Sequence, residues 1–355
     1  MILGIFLAIG ESLSDLKSKG QLRRLVDWNI KYYLKTFDKV YIFSYKNEKM
    51  KLPKNCILIS NRTGLHRYLY SLLLPILNQK NIKDCNVLRG LQITGGIPGI
   101  TAKILYNKNC IVNYGYIYSK FAKIEGKYFQ QMVFPTLSWL VQKFTHKIII
   151  TSKYLKKYVD PKKVIIIQNG VDVHLFKPHR KKNKNIVFVG RLVKQKNVST
   201  IIESLKDLNE FKLIIAGDGP QRKNLENLSK IFKVNVKFLG VIEYNRLPKV
   251  YNMAQVFILS SLREGNPKSL LEAMACGCVP IGADVEGINN IIKNNYNGLL
   301  VETDPKSLKK AIIKLFNTPK LIENYSKKAR QYIQKEHDID KLLTKETQLL
   351  LNSSR

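Results

Sequence analysis

Residues 256–277 read Val-Phe-Ile-Leu-Ser-Ser-Leu-Arg-Glu-Gly-Asn-Pro-Lys-Ser-Leu-Leu-Glu-Ala-Met-Ala-Cys-Gly. Val256 to Leu259 form a short apolar run, the mark of a strand buried on both faces. A helix start follows a polar turn: Asn266 fits the N-cap, Pro267 the first helical position, and Leu270, Leu271 and Met274 an apolar stripe. Gly277 fits the left-handed residue just past the helix end. The stretch predicts strand–loop–helix, with the unpaired helix N–H groups facing whatever lies beyond the strand's carboxyl end. Two carboxylates bracket that helix start, Glu264 in the loop and Glu272 roughly 7–8 Å inside the helix. An anionic ligand on the N–H groups would have a hydroxyl acceptor on either side, which suits a polyhydroxylated molecule carrying phosphate. Two solvated glutamates eight positions apart are common on surface helices, so the specificity lies in the residues around them.

A chain of 355 residues, 45% hydrophobic, is long enough for two cored domains. No apolar run reaches membrane-spanning length. The first ten residues, Met-Ile-Leu-Gly-Ile-Phe-Leu-Ala-Ile-Gly, lack a basic flank and are followed by Glu11 and Asp15, so a buried first strand is expected there, not a signal peptide. The five cysteines, Cys56, Cys85, Cys110, Cys276 and Cys278, contain no CxxC pair, which points to a reducing cytosol and no zinc site. Basic residues outnumber acidic ones 60 to 26, a net charge of +34, and residues 1–180 hold 30 basic and 9 acidic residues, a net of +21. Such a field favours nucleic acid, anionic lipid surfaces or polyanionic substrates. Lys, Asn and Ile are abundant throughout, so codon bias is an equal alternative for part of the excess.

Strand and helix signals alternate along the chain. Strands are expected at 2–9, 40–43, 56–60, 85–88, 110–113, 147–151 and 164–167, with helices at 20–35, 65–79, 98–106, 127–145 and 152–159 between them. This is the pattern of a doubly wound, mostly parallel sheet. Residues 168–185 break the rhythm, and an interdomain linker is placed at 171–184. A second series follows, with strands at 185–190, 211–216, 234–239, 256–260, 278–281 and 298–301. Helices are expected near 197–207, 220–232, 244–253, 267–276, 287–293 and 305–316, then at 319–335 and 339–351. The expected domains are residues 1–170, with the terminal helix at about 338–355 packing back on it, and residues 185–337.

Ile186–Lys196 is the second informative stretch. Its strand runs into Gly190, which admits a ligand close to the backbone, and Arg191 and Lys196 can hold a diphosphate. A cationic loop on a Lys-rich protein is the bland alternative. Gly217-Asp218-Gly219-Pro220 follows another strand, but Arg222 stands where a dinucleotide fingerprint needs its third glycine, which argues against nicotinamide binding. The His residues at 66, 146, 174, 179 and 337 show no metal spacing. The aromatic stretches 66–78 and 128–144, the latter with Phe134, Trp139 and Phe144, fit either membrane-facing amphipathic helices or core stripes, and core is expected for most of each.

The order of these motifs resembles the glycosyltransferases of family 4, the group 1 glycosyltransferases of the GT-B fold, over about residues 85–317. The run is Asn-Gly-Val-Asp…Phe…Pro at 169–178, Gly-Arg…Lys at 190–196, Ala-Gly-Asp-Gly-Pro at 216–220, Phe-Leu-Gly at 238–240, the E-x7-E pair Glu264 and Glu272, and Asn-Gly-Leu-Leu-Val at 297–301. The resemblance implies two Rossmann-like doubly wound domains facing a central cleft, and a retaining, metal-independent hexosyltransferase with a nucleotide-sugar co-substrate and no further cofactor. In that reading Arg191 and Lys196 take the donor diphosphate, Glu272 the ribose hydroxyls and Glu264 the transferred sugar. Gly190, Gly217, Asp218, Gly265, Asn266, Pro267, Lys268 and Ser269 complete the donor site. Glu264, Arg191 and Lys196 are the implied catalytic groups.

The front half would supply the acceptor side, with Gly20, Arg89 and Tyr114 as candidates. Gly20 lies in Ser-Lys-Gly-Gln, without the family's usual double glycine, and Tyr114-Gly115 stands where many members have His-Gly. By resemblance the setting is cell-surface polysaccharide or glycolipid synthesis, in the cytoplasm at the inner membrane face, with a glycan or lipid-linked acceptor, and the charge adds an expected peripheral contact with anionic membrane through the basic N-terminal domain. Rival readings are a nucleotide-sugar epimerase or phosphorylase-like enzyme of the same fold, or a nucleic-acid-binding protein. The last lacks a recognition helix or clustered base-stacking aromatics, so no nucleic-acid partner is expected.

Overall fold

The computed structural model describes residues 1–115, 117–124, 126–179 and 183–354, and the chain divides into two units, Met1–Ile167 with Leu343–Arg355, and Gln168–Leu342. Strands β1 (Ile2–Phe6), β2 (Lys39–Phe43), β3 (Cys56–Ile59), β4 (Val87–Gly90), β5 (Cys110–Tyr114), β6 (Lys147–Ile150) and β7 (Val164–Ile166) build the first unit's parallel sheet, in the order β3-β2-β1-β4-β5-β6-β7. Their apolar runs are what a sheet covered on both faces requires. The connections hold α1 (Leu13–Ser18), α2 (Leu22–Arg24), α3 (Lys31–Tyr33), α4 (Arg67–Leu77), α5 (Gln79–Asp84), α6 (Ile97–Tyr106), α7 (Tyr118–Ile124) and α8 (Tyr128–Phe144). The helix expected over 20–35 is broken by a π-helical stretch at Leu25–Ile30. That expected at 152–159 is a 3₁₀ segment, Lys153–Tyr158.

The core expectation for 128–144 does not hold. Over seventeen residues of α8 only Val141 is buried, because the helix lies outermost, against α6 and α7. Stretch 66–78 is mixed: Tyr70 and Leu74 are buried, whereas Tyr68, Leu69, Leu72 and Ile76 are exposed.

In the second unit β8 (Asn185–Val189), β9 (Lys212–Ala216), β10 (Val236–Gly240), β11 (Val256–Leu259), β12 (Val279–Ala283) and β13 (Leu299–Val301) form a parallel sheet, ordered β10-β9-β8-β11-β12-β13. Its helices are α9 (Val198–Ser204), α10 (Arg222–Ile231), α11 (Leu247–Tyr251), α12 (Lys268–Ala275), α13 (Pro305–Phe316) and α14 (Pro319–Glu336). The helix expected at 287–293 is instead a series of turns entered through Gly287, at φ +92°. Of the stretch read as linker, 171–184, residues 180–182 lie outside the described residues. Val171, Val173 and Phe176 within it are buried, and Val171 N donates to His337 O at 2.9 Å. The last helix is α15 (Ile339–Asn352), at whose start Asp338 Oδ1 accepts from Asp340 N at 3.1 Å.

Candidate active site

In the second sheet the chain winds outward from β8 to β9 and β10, then crosses back to β11 on the other side of β8. The loops leaving β8 and β11 therefore diverge and open a crevice at the strands' carboxyl ends, the usual ligand position in such sheets. Gly190, Arg191 and Lys196 leave β8, and Glu264 to Ser269 leave β11.

Short bonds tie these loops together. Ser260 Oγ donates to Asn197 O at 2.8 Å and Leu262 N to Gln195 O at 2.9 Å. Lys196 Nζ and Glu264 Oε1 form a part-buried ion pair at 2.5 Å. Arg191 is exposed on the same loop. The turn after β9 closes on the loop after β8, where Gly190 N donates to Ala216 O at 3.0 Å and Leu192 N to Asp218 O at 2.9 Å. Gly217, at φ +134°, has no room for a Cβ, which would overlap Gly190 O. Asp218 is exposed; it accepts from Gly219 N and lies 3.8 Å from Arg222.

The helix start differs by one residue from the expectation. Pro267 is the N-cap, extended at φ −72° and ψ 113°, and α12 begins at Lys268. Proline lacks both an N–H and a capping oxygen, so Pro267 itself gives the first turn of α12 no side-chain cap. Asn266 is buried instead, its carbonyl accepting from Asn169 Nδ2 at 2.6 Å. Lys268 is exposed, Ser269 half-buried and Gly265 buried. Gly277 takes the expected left-handed conformation, φ +72°.

Glu272 is buried, and its Oε2 accepts from Tyr251 OH at 2.9 Å. Burial, then the negative charge of Glu272, push the Tyr251 phenol well above its ordinary pKa, so it stays a donor. Several residues of the site were missed by sequence reasoning: Ser261, Asn169, Tyr251 and Gly287. Ser261 Oγ and Asn266 Oδ1 are buried without a hydrogen-bond partner, a costly arrangement that a ligand hydroxyl would relieve. A Cβ at Gly287 would overlap Glu264 O, so this glycine lets the β12 loop close over the glutamate's backbone.

The acceptor-side candidates fare differently. Arg89 is fully buried; its guanidinium donates to Glu346 Oε1 at 2.8 Å, Gly90 O at 3.0 Å, Ile111 O at 3.3 Å and Asn113 Oδ1. It is an internal cross-link with no face turned to a ligand. Gly20 lies beyond α1, not in the loop leaving β1. Tyr114 is buried at the end of β5, where burial raises its pKa, and it lines a cavity of about 690 Å³ within the first unit. Tyr118, Trp139 and Tyr158 supply aromatic wall there, and Lys120, Lys143 and Lys157 supply cations. Among the described residues no group of three or more His, Cys, Asp or Glu is placed to hold a metal ion.

Two Rossmann-like units of this kind define a GT-B glycosyltransferase fold. Structures of sucrose-phosphate synthase from Thermosynechococcus elongatus (TM-score 0.84, 19% identity, 99% and 98% of the two chains) and of Anabaena Alr3699/HepE with UDP-glucose (0.80, 16%, 99% of each) share it. The model of the family "Glycosyl transferases group 1" matches residues 173–332. The UDP-Gal:alpha-D-GlcNAc-diphosphoundecaprenol alpha-1,3-galactosyltransferase of Escherichia coli is 30% identical over 267 residues, 67% of this chain and 68% of the relative. The uncharacterized glycosyltransferase MJ1069 of Methanocaldococcus jannaschii is 28% identical over 66% of each chain. MJ1178 of the same organism is 32% identical over 53% of this chain and 55% of its own. The chain thus spans roughly half to two thirds of the curated relatives it matches. It belongs to the group 1 glycosyltransferases.

Proposed function

We propose that the protein transfers a sugar, with retention, from a nucleoside-diphosphate donor to a glycan or lipid-linked acceptor in cell-envelope polysaccharide or glycolipid synthesis. The observation that carries this reading is the Lys196–Glu264 contact at the β8/β11 crevice, a cation and a hydroxyl acceptor beside the N-terminus of α12. In the ligand-free protein Glu264 neutralises Lys196. A bound diphosphate would share that ammonium with Glu264, Arg191 would add a second cation, and Glu264 would stay within reach of the sugar hydroxyls. The acceptor oxygen attacks the anomeric carbon on the face from which the nucleotide departs. Lys196, Arg191 and the amides then stabilise the leaving diphosphate without requiring a metal. Glu272 would accept from the ribose.

The Escherichia coli relative takes its sugar from UDP-Gal and acts on a diphosphoundecaprenol-linked sugar, as its name states, which supports a donor and acceptor of these classes. The cationic, aromatic cavity of the first unit suits such an acceptor's phosphate and sugar rings.

A panel of nucleotide-sugars tests the reading by thermal shift, because a donor at ~100 times its dissociation constant adds about 2.7 kcal/mol of stability. Arg191→Ala is expected to lower transfer by ~10²–10³. Near-normal transfer by that variant, or no nucleotide-sugar bound by the wild type, would contradict the proposal.

A further inference from the structure

Beyond Trp139 and Lys143, which also edge the cavity of the first unit, the sugar-transfer site leaves one large feature of that unit unused. Helix α8 turns apolar side chains into solvent along one stripe: Phe129 is 79% exposed, Met132 79%, Tyr128 75% and Trp139 59%, with Val133 and Leu140 beside them. Phe129, Met132, Val133 and Leu140 follow helical spacing on one face, with Thr136 among them and Tyr128 and Trp139 on its flank. It is not isolated. Helix α6 packs against both α4 and α8, and it carries exposed Ile104 and Leu105, while α4 carries exposed Leu69, Leu72 and Ile76. An exposed apolar stripe flanked by further exposed apolar residues on neighbouring helices normally has an occupant.

Charge selects among occupants. None of α4, α6, α7 or α8 contains an Asp or Glu, whereas Arg67, Lys123, Lys127 and Lys143 are exposed on or beside them. Lys143 lies 5.4 Å from the Trp139 ring centroid, an ammonium set against the amphipathic ring that favours a membrane interface. A second copy of the chain seated on this face would bring its lysines against those of the first, and these four helices offer no carboxylate to pair them. A surface that is apolar within and negative at its edge matches instead.

We propose that the α4–α6–α8 face of the first unit docks on an anionic lipid bilayer, with the Phe129–Met132–Trp139 stripe of α8 lying at the headgroup–acyl boundary. This requires neither donor nor turnover, so its failure would leave the transferase reading intact, and the reverse also holds.

The full chain is incubated with vesicles of phosphatidylcholine alone or with one third phosphatidylglycerol, and the bound fraction is measured by sedimentation. Binding is expected to the anionic vesicles and to fall steeply with salt. The chain has two tryptophans, Trp28 and Trp139. In a Trp28→Phe background, Trp139 emission is expected to shift to shorter wavelength on binding. Phe129→Ser combined with Met132→Ser alters only exposed side chains, so the unfolding midpoint should hold while the partition coefficient falls at least tenfold. Lys123→Glu combined with Lys127→Glu, both outside the cavity, should abolish the preference for phosphatidylglycerol. Undiminished binding by the serine variant overturns the proposal. So does an unshifted Trp139 on sedimented protein, or a dimer that shields Trp139 while vesicles go unbound.

Discussion

At the scale of single residues, the second unit is organised by contacts that join distant positions. Lys196 and Glu264 meet at 2.5 Å, and Tyr251 reaches Glu272 at 2.9 Å from α11 to α12. The second contact keeps a carboxylate solvated inside the protein, because the phenol replaces a water that burial removes. Tyr251 also packs near Phe176 and Phe257, with ring centroids 6.1 Å from each. Tyr251→Phe retains that packing and deletes only the hydroxyl. It is expected to destabilise the protein by about 1.5–3 kcal/mol, the worth of a hydrogen bond to a charged group, read as a lower urea midpoint. If Glu272 also holds the donor ribose, its freed carboxylate will shift and KM for the donor will rise with it. A stability cost near zero would mean that the phenol is not what satisfies Glu272.

At the scale of elements, α15 illustrates what a sequence reveals and what it withholds. Its helical period is plain from Leu343, Thr347 and Leu350, which are buried. That Glu346 accepts from both Tyr33 OH at 2.7 Å and Arg89 Nε at 2.8 Å is not, since no local pattern pairs residues 257 or 313 positions apart. Glu346→Ala would leave the Arg89 charge buried with its carboxylate gone, and a loss of about 3–5 kcal/mol is expected by denaturant unfolding. Pairing it with Arg89→Met should recover much of that loss, because the charge goes with its partner. The strands were legible for a related reason to α15's period: a strand sealed on both faces is written as a continuous apolar run, as at Ile186–Val189 and Val256–Leu259. The motif residues at 190–196 and 264–272 were legible too, because strand ends fix where they project. Less so were the turns at 287–293, where apolar Ile288, Ile291 and Ile292 imitate a helical stripe but pack inward from a turn opened by Gly287. Helix α8 misled in the opposite direction. An apolar stripe says that something covers it, and only the fold shows that Phe129, Met132 and Trp139 are left exposed.

At the scale of the whole molecule, the governing quantity is charge. With 60 basic residues against 26 acidic ones, more than half of the basic residues are in excess of the carboxylates, and the folded chain brings them closer together than the unfolded chain does. The screening length falls from ~30 Å at 0.01 M salt to ~8 Å at 0.15 M. At low salt repulsion therefore acts across a whole unit, and at physiological salt only between near neighbours. Raising sodium chloride from about 10 to about 150 mM should increase the thermal unfolding midpoint, the reverse of what a protein held together by surface ion pairs would show. Residues 1–180 carry +21 of the +34, so where the two units melt separately the first should gain more. Potassium chloride at equal ionic strength should act alike, since screening depends on ion concentration and charge and not on identity. A larger gain with phosphate than with chloride would add specific anion binding at the cationic loops, with the β8/β11 crevice the first place to seek it. A midpoint that falls with salt would mean that local ion pairs such as Lys196–Glu264 outweigh the long-range repulsion.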